Sequence, residues 1–284
     1  MDGRVAFLGR PAAGTHWPPL APPASEGARF DFLQPCRTFR MHRGGQCGVE
    51  WDEWQLVRAL VRRNSTVLEL GARFGTTSCV LSQAVGPRGV VVAVEPDKTV
   101  YPELLSNVRT HRCKNVFVLQ GTVGAQRTRI LARKGRGGVG TLTIATSSSN
   151  GAALPFMRLP ALEARIGRSF DTLLLDCEGC ITTVLVGTFG DMLLTRLQLI
   201  LIEQDNRNVS YAAWWPRLRA HGFVRVWHSS AWYSNRIFHS AWLKVAEPGN
   251  SLACEVHKWL HRDSLDTQRL SALLRVLTPE ARRR

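Results

Sequence analysis

The apolar residues of the chain recur in two alternating rhythms, one helical and one of short runs, in the order expected of helices and strands taking turns. From Trp51, the positions Trp51, Trp54, Leu56, Val57, Leu60 and Val61 return at helical spacing. Asp52 and Glu53 stand near the start of that helix, where its dipole favours acidic side chains. The run Val67 to Leu70 is short, mostly apolar and closed by Gly71, as suits a strand covered on both faces of a parallel sheet. Thr76 to Val85 predicts a helix and Gly89 to Val94 a second β-branched strand, so strand, glycine turn, helix and strand form a βαβ unit. The alternation continues with a helix near 98–109, strands at 115–119 and 170–175, a helix over 181–194 and a strand at 197–202. A helix at 211–220 and strands at 223–227 and 240–245 close the pattern as a terminal β-hairpin.

Three stretches break this rhythm. Residues 1–45 carry Pro11, Pro18, Pro19, Pro22, Pro23 and Pro35 among Gly and Ala and offer no periodic apolar face, which predicts a loose tail. The stretch 127–151 is rich in Arg, Gly, Ser and Thr and reads as an excursion from the sheet, followed by a helix at 160–166. Residues 247–284 place Leu252, Val256, Trp259 and Leu260, then Leu270, Leu273, Leu274 and Val276, as on two amphipathic helices in a basic extension. The expected organisation is a tail (1–45), an α/β domain (46–246) and a helical extension (247–284).

Composition narrows the classes. No apolar run approaches the roughly 18 to 20 residues of a membrane-spanning helix. A net charge of +15 provides a field that draws in anions, nucleic acid among them. The seven cysteines are odd in number and scattered, and the first 45 residues do not read as a secretory signal. These features predict reduced thiols and an intracellular, cytoplasmic setting, with organelle targeting by the tail left open. Oligomeric state is not legible.

Candidate chemistry gathers at the ends of the strands, where a parallel sheet opens its crevice. Gly71 and Gly75 flank a tight turn in which missing side chains would let a ligand approach the backbone. Glu69, on the same strand, could accept from a ligand's ammonium group. Glu95 closes the second strand and could take both hydroxyl hydrogens of a ribose. Gln120 and Gly121 end the third strand, near the edge expected for a purine, and Asp176 ends the fourth. A ribose-bearing cofactor follows. NAD is disfavoured by a Gly-x-x-x-Gly loop in place of Gly-x-Gly-x-x-Gly.

The segment Phe170-Asp171-Thr172-Leu173-Leu174-Leu175-Asp176-Cys177-Glu178-Gly179 resembles the strand ending in Asp-x-Glu-Gly of the FkbM-like class I methyltransferases. Val94-Glu95-Pro96, Leu104-Leu105-Ser106-Asn107 and Leu201-Ile202-Glu203 add to the likeness, which covers roughly residues 65–246. The resemblance implies a Rossmann-like α/β fold, with a seven-stranded, mostly parallel sheet and helices on both faces. It implies S-adenosyl-L-methionine as cofactor, bound by Glu69, Gly71, Gly75 and Glu95, to which the reading of the strand ends adds Gln120, Gly121 and Asp176. Asp176, Glu178 and Glu203 are its active-site candidates, for methyl transfer to an oxygen of a small molecule or sugar. Ala72-Arg73-Phe74 is bulkier than that family's usual loop and leaves the place of Arg73 open.

For a hydroxyl acceptor, Asp176 or Glu178 could orient the nucleophile or take its proton; alternatively Asp176 binds the cofactor's amine and Glu178 caps a helix. No metal is assigned. Asp176 with Asp205-Asn206 could gather Mg²⁺, as in catechol-type methyltransferases, although Glu203 already occupies that strand end. Cys177-Glu178-Gly179-Cys180 has CxxC spacing without a second pair, which favours core thiols over zinc. His228 and His239 flank a hairpin loop that could reach the cleft, and Trp214, Trp215, Trp227 and Trp232 could stack on an acceptor or pack the core. The competing readings are an RNA methyltransferase drawn to nucleic acid by its charge, and a non-catalytic protein that keeps the fold.

Overall fold

The computed structural model describes residues 39–41, 50–131, 142–146, 154–230 and 237–244. Helix α1 (Trp51–Leu60) leads to β1 (Thr66–Leu70), α2 (Thr76–Val85), β2 (Val90–Glu95), α3 (Tyr101–Thr110) and β3 (Val116–Gln120). Short strands β4 (Thr122–Val123), β5 (Thr128–Leu131), β6 (Leu142–Ala145) and β7 (Phe156–Met157) precede α4 (Leu159–Ile166) and β8 (Thr172–Leu175). Then come α5 (Ile181–Val184), α6 (Gly187–Arg196), β9 (Leu199–Glu203), α7 (Trp215–Ala220), β10 (Phe223–Ser230) and β11 (Ile237–Lys244).

Seven strands form one sheet in the order β10-β11-β9-β8-β1-β2-β3. β11 runs antiparallel to both its neighbours, and the remaining pairings are parallel, so the Rossmann-like sheet and its terminal hairpin are as expected. All five residues of β1 are buried because the sheet is covered on both faces. One face packs Val67, Val91, Ala93, Val116 and Leu174 against residues of α1, α2 and α3. The other packs Leu68, Val92, Leu173 and Ile200 against α4, α6 and α7. Alternate residues of each strand therefore feed two cores. The connection from β1 goes to one side and that from β8 to the other, which opens a crevice at their carboxyl ends.

Several expectations change in detail. The helix read over 181–194 is two helices, because Val186 is extended (ψ 145°) and Gly187 has φ +60°, which interrupts the hydrogen-bond ladder. Tyr211–Trp214 is a 3-10 turn leading into α7. The excursion carries its own antiparallel pair, β5 with β6. Residues 39–41, read as tail, are docked: Phe39 is buried and stacks on His111 at 4.0 Å, and Arg40 exchanges backbone bonds of 2.8 Å with the Asn107 amide. The rest of the tail, Trp232 and the 247–284 extension lie outside the described residues.

The thiols depart most from expectation. Cys79–Cys113 and Cys177–Cys180 are disulfides, with Cα atoms 5.4 and 5.5 Å apart. Scattered spacing hid the first pair: parallel packing of α2 beside the end of α3 brings together residues 34 positions apart. The intracellular expectation rested on reduced thiols and loses that support. Among the described residues, no helix is long and apolar enough to cross a membrane.

Candidate active site

The crevice is shaped first by its glycines. Gly71 follows β1 with φ +98°, and a Cβ there would overlap the Asp176 carbonyl oxygen. Gly75, at φ +80°, is the N-cap of α2, and a Cβ would press on Leu104. Both are therefore demanded by the protein's own close packing before any ligand is considered. Backbone bonds hold the turn: Gly71 and Ala72 N–H donate to the Val94 carbonyl at 3.0 and 3.1 Å, and Asp176 N–H donates to Leu70 at 3.0 Å.

Glu95, at the end of β2, is pinned by its own neighbourhood. Its two oxygens accept the N–H groups of Arg73 at 2.8 Å and Asp97 at 2.7 Å. This also places Arg73: a non-glycine residue at φ +45° turns its amide onto Glu95, while its guanidinium lies 5.1 Å over the Phe74 ring. Burial pushes the Glu95 carboxyl up to about 7, against the pull of the two amides. Each oxygen keeps a second lone pair for a hydroxyl donor. Gln120 pairs with Glu95 across the ladder, and Gly121 N–H donates to the Glu95 carbonyl at 3.0 Å, so both stand at the predicted strand end.

Beside the glycine turn lies a different arrangement. Glu50, Glu53, Asp176 and Glu203 each present a carboxylate oxygen within 4.8 Å of the others, and Glu53, Glu203 and His239 do the same. Two ionised carboxylates at that separation repel by roughly 3 to 4 kcal/mol at an effective dielectric of about 20. Burial accordingly drives Glu53 well above the usual carboxylate range, aided by Asp176, Glu50 and Glu69. Burial does the same to Asp176 and to Glu203, which share a hydrogen bond. Burial raises Glu69 to about 8, although the Ser78 hydroxyl donates to it at 2.6 Å.

Asp205 and Asn206 are occupied elsewhere. Asp205 accepts Glu178 N–H at 2.5 Å and the Tyr211 hydroxyl at 2.6 Å, and the Asn206 amide donates to the Glu178 carbonyl at 2.9 Å. They tie the 176–180 turn to the loop after β9 and do not join the carboxylate group. That turn holds Glu178 at φ +55°, outside the four-carboxylate group. Trp215 packs on Trp242 at 4.8 Å in the core, Trp227 packs against the opposite core, and His228 is exposed.

Sequence reading missed Glu50 and Glu53, and it placed His239 near the cleft without joining it to the carboxyls. Glu53 was placed by the helix dipole, yet it is only 3% exposed. The available signal was its stripe: Glu53 shares a face with Leu56, Val57 and Leu60, all buried, so an acid occupies a core position. His239 reaches the group because β11 pairs it directly with Glu203.

A ligand with a ribose diol and a cationic end could be held here: Glu95, fixed by two amides, could accept from the hydroxyls, and the carboxyls beside Gly71 could complement positive charge. Residues 69–225, more than half the chain, match the family model of the methyltransferase FkbM domain. No curated protein matches the chain. Among solved structures it is similar to a precorrin-6y C5,15-methyltransferase from Geobacter metallireducens (13% identity, TM-score 0.44, covering 72% of this chain and 95% of that one). It is also similar to an O-methyltransferase from Bacillus cereus in complex with SAH (13%, TM-score 0.40, 75% and 87%). Fibrillarin from Aeropyrum pernix with natively bound S-adenosyl-L-methionine is a third likeness (17%, TM-score 0.41, 68% and 74%). The chain belongs to the FkbM methyltransferase family and is an S-adenosylmethionine-dependent methyltransferase.

Proposed function

We propose that the acceptor is a hydroxyl oxygen of a small molecule or sugar. The observation that carries this reading is the hydrogen-bonded pair Asp176 and Glu203, on adjacent strand ends beside the glycine turn. Burial raises both carboxyls well above the usual range, so the pair shares a proton, and its ionised member is a base suited to a neutral hydroxyl. S-adenosylmethionine, when bound, supplies an electrophilic methyl group on sulfur. Glu203 takes the hydroxyl proton as the O–C bond forms and the C–S bond breaks. Asp176 orients Glu203 and completes the carboxylate wall that faces the cofactor's positive end. Glu69, Gly71, Gly75, Glu95, Gln120 and Gly121 form the cofactor's side in this proposal, with Glu95 on the ribose. Glu178 stands at the rim, its backbone fixed by Asp205 and Asn206. A wall of carboxylates disfavours an anionic acceptor on charge grounds.

Transfer of labelled methyl from S-adenosylmethionine to separate pools of hydroxylated small molecules, RNA and protein tests the proposal. Label in alkali-stable ethers of the small-molecule pool is expected. Label confined to RNA, the outcome the +15 charge would favour, or to protein would overturn it.

A further inference from the structure

The group gathers more carboxyls than one bound cofactor needs. One ammonium or sulfonium balances one carboxylate, yet Glu50, Glu53, Asp176 and Glu203 lie within 4.8 Å of one another, and the His239 imidazole lies as close to Glu53 and Glu203. Glu53 is buried on the apolar face of α1, where an acid is costly. One of its oxygens, Oε2, is enclosed without a hydrogen-bond partner, while the Thr77 hydroxyl is its one neutral donor. His239 is 3% exposed, with Nε2 3.9 Å from Glu203 Oε1.

The dimensions suit a single ion. Ligands on opposite sides of a cation lie two metal–oxygen lengths apart, about 4.2 Å for Mg²⁺ and about 5 Å for Ca²⁺. The ligand atoms lie no farther than 4.8 Å from one another, a span that a larger cation bridges directly and a smaller one bridges after the side chains close in by a few tenths of an ångström. Carboxylates with one imidazole suit Mg²⁺ or Mn²⁺, and the imidazole favours Mn²⁺ of the two. Glu53 comes from α1 and Glu50 from its N-cap, Glu203 and His239 from β9 and β11, and Asp176 from just after β8, so the site exists only in the folded domain.

We infer that Glu50, Glu53, Asp176 and Glu203, with His239, form a divalent cation site at the mouth of the cofactor crevice, of the Mg²⁺ or Mn²⁺ class. It rests on the hydroxyl-acceptor reading and deepens it. The cation binds the acceptor oxygen and lowers the pKa of its hydroxyl, and the released proton passes to a carboxylate of the group or to water. It also offsets the charge of the wall, which admits acceptors carrying a negative group. The site differs from one built on Asp205 and Asn206, whose side chains are committed to Glu178 and Tyr211.

Mn²⁺ titration of the full chain, stripped with chelator and followed by loss of the free Mn²⁺ paramagnetic signal, tests the inference. Saturation at one Mn²⁺ per chain is expected, with a matching rise in Tm. Glu53→Gln and His239→Gln, confirmed folded by circular dichroism, should each weaken binding on the order of 10- to 100-fold. Absence of saturable Mn²⁺ and Mg²⁺ binding, or unchanged binding in both variants, would overturn it. Calorimetry with S-adenosylmethionine on the stripped protein separates the two readings: cofactor binding without metal binding removes the cation site alone, and metal binding in a chain that methylates RNA keeps the site and removes the small-molecule acceptor.

Discussion

Glu95 and Glu53 are both carboxylates buried at one crevice, and the protein holds them in opposite ways. Glu95 has an amide for each oxygen, from Arg73 and Asp97, so its position is set before any ligand arrives. Glu53 has the Thr77 hydroxyl and otherwise the charges of Glu50, Glu69 and Asp176. The pinned carboxylate is arranged to receive hydrogen-bond donors, and the crowded one is relieved only by a proton or a cation. Pre-organised hydrogen bonding and stored electrostatic repulsion thus stand side by side, the first at the carboxyl proposed to take the ribose and the second where chemistry is proposed. The contrast also explains why a basic protein keeps an acidic site: the repulsion is local and buried, beyond the reach of a solvated surface charge.

Breaking the crowded side has the largest effect. Glu203→Gln should lower kcat by about 10²- to 10⁴-fold while S-adenosylmethionine affinity changes little, as steady-state kinetics and calorimetry would read. Gly71→Ala forces a Cβ onto the Asp176 carbonyl at φ +98° and should cost about 3 kcal/mol or more in denaturant unfolding. The pH dependence sharpens the comparison next. Glu69 and Glu95 hold protons in the folded chain that the unfolded chain releases, so the folded state binds more protons between pH 4.5 and 8. Their contribution to stability therefore falls as pH rises through that window and levels off above it, by up to about 1.4 kcal/mol per pH unit per group. A Tm–pH profile of the ligand-free protein should show this decline, and Glu69→Gln should flatten its upper part. The smallest effect is Tyr211→Phe, which removes one bond to Asp205 and should cost about 1 kcal/mol.

The succession of strands and helices and the pinned side of the crevice were legible because they depend on local pattern. Val67 to Leu70 ends in glycine, Val90 to Val94 ends in Glu95, and each strand delivers its polar residue to the same end of the sheet. The crowded side was legible only in part. Asp176 and Glu203 end strands, but Glu53 comes from the helix before β1 and His239 from the last strand, and only tertiary packing brings them together. The Cys79–Cys113 pair was hidden for the same reason. Gly71 was recognised, with a different first cause: it makes room for Asp176.

The pinned carboxylate offers the most direct measurement, a calorimetric titration of S-adenosylmethionine into the wild-type chain and into Glu95→Ala. The account predicts one cofactor per wild-type chain and an affinity loss on the order of tenfold or more in the variant, with the fold retained, since charged hydrogen bonds contribute about 1.5 to 3 kcal/mol. Equal affinity in both proteins, or no binding by the wild type, would contradict it.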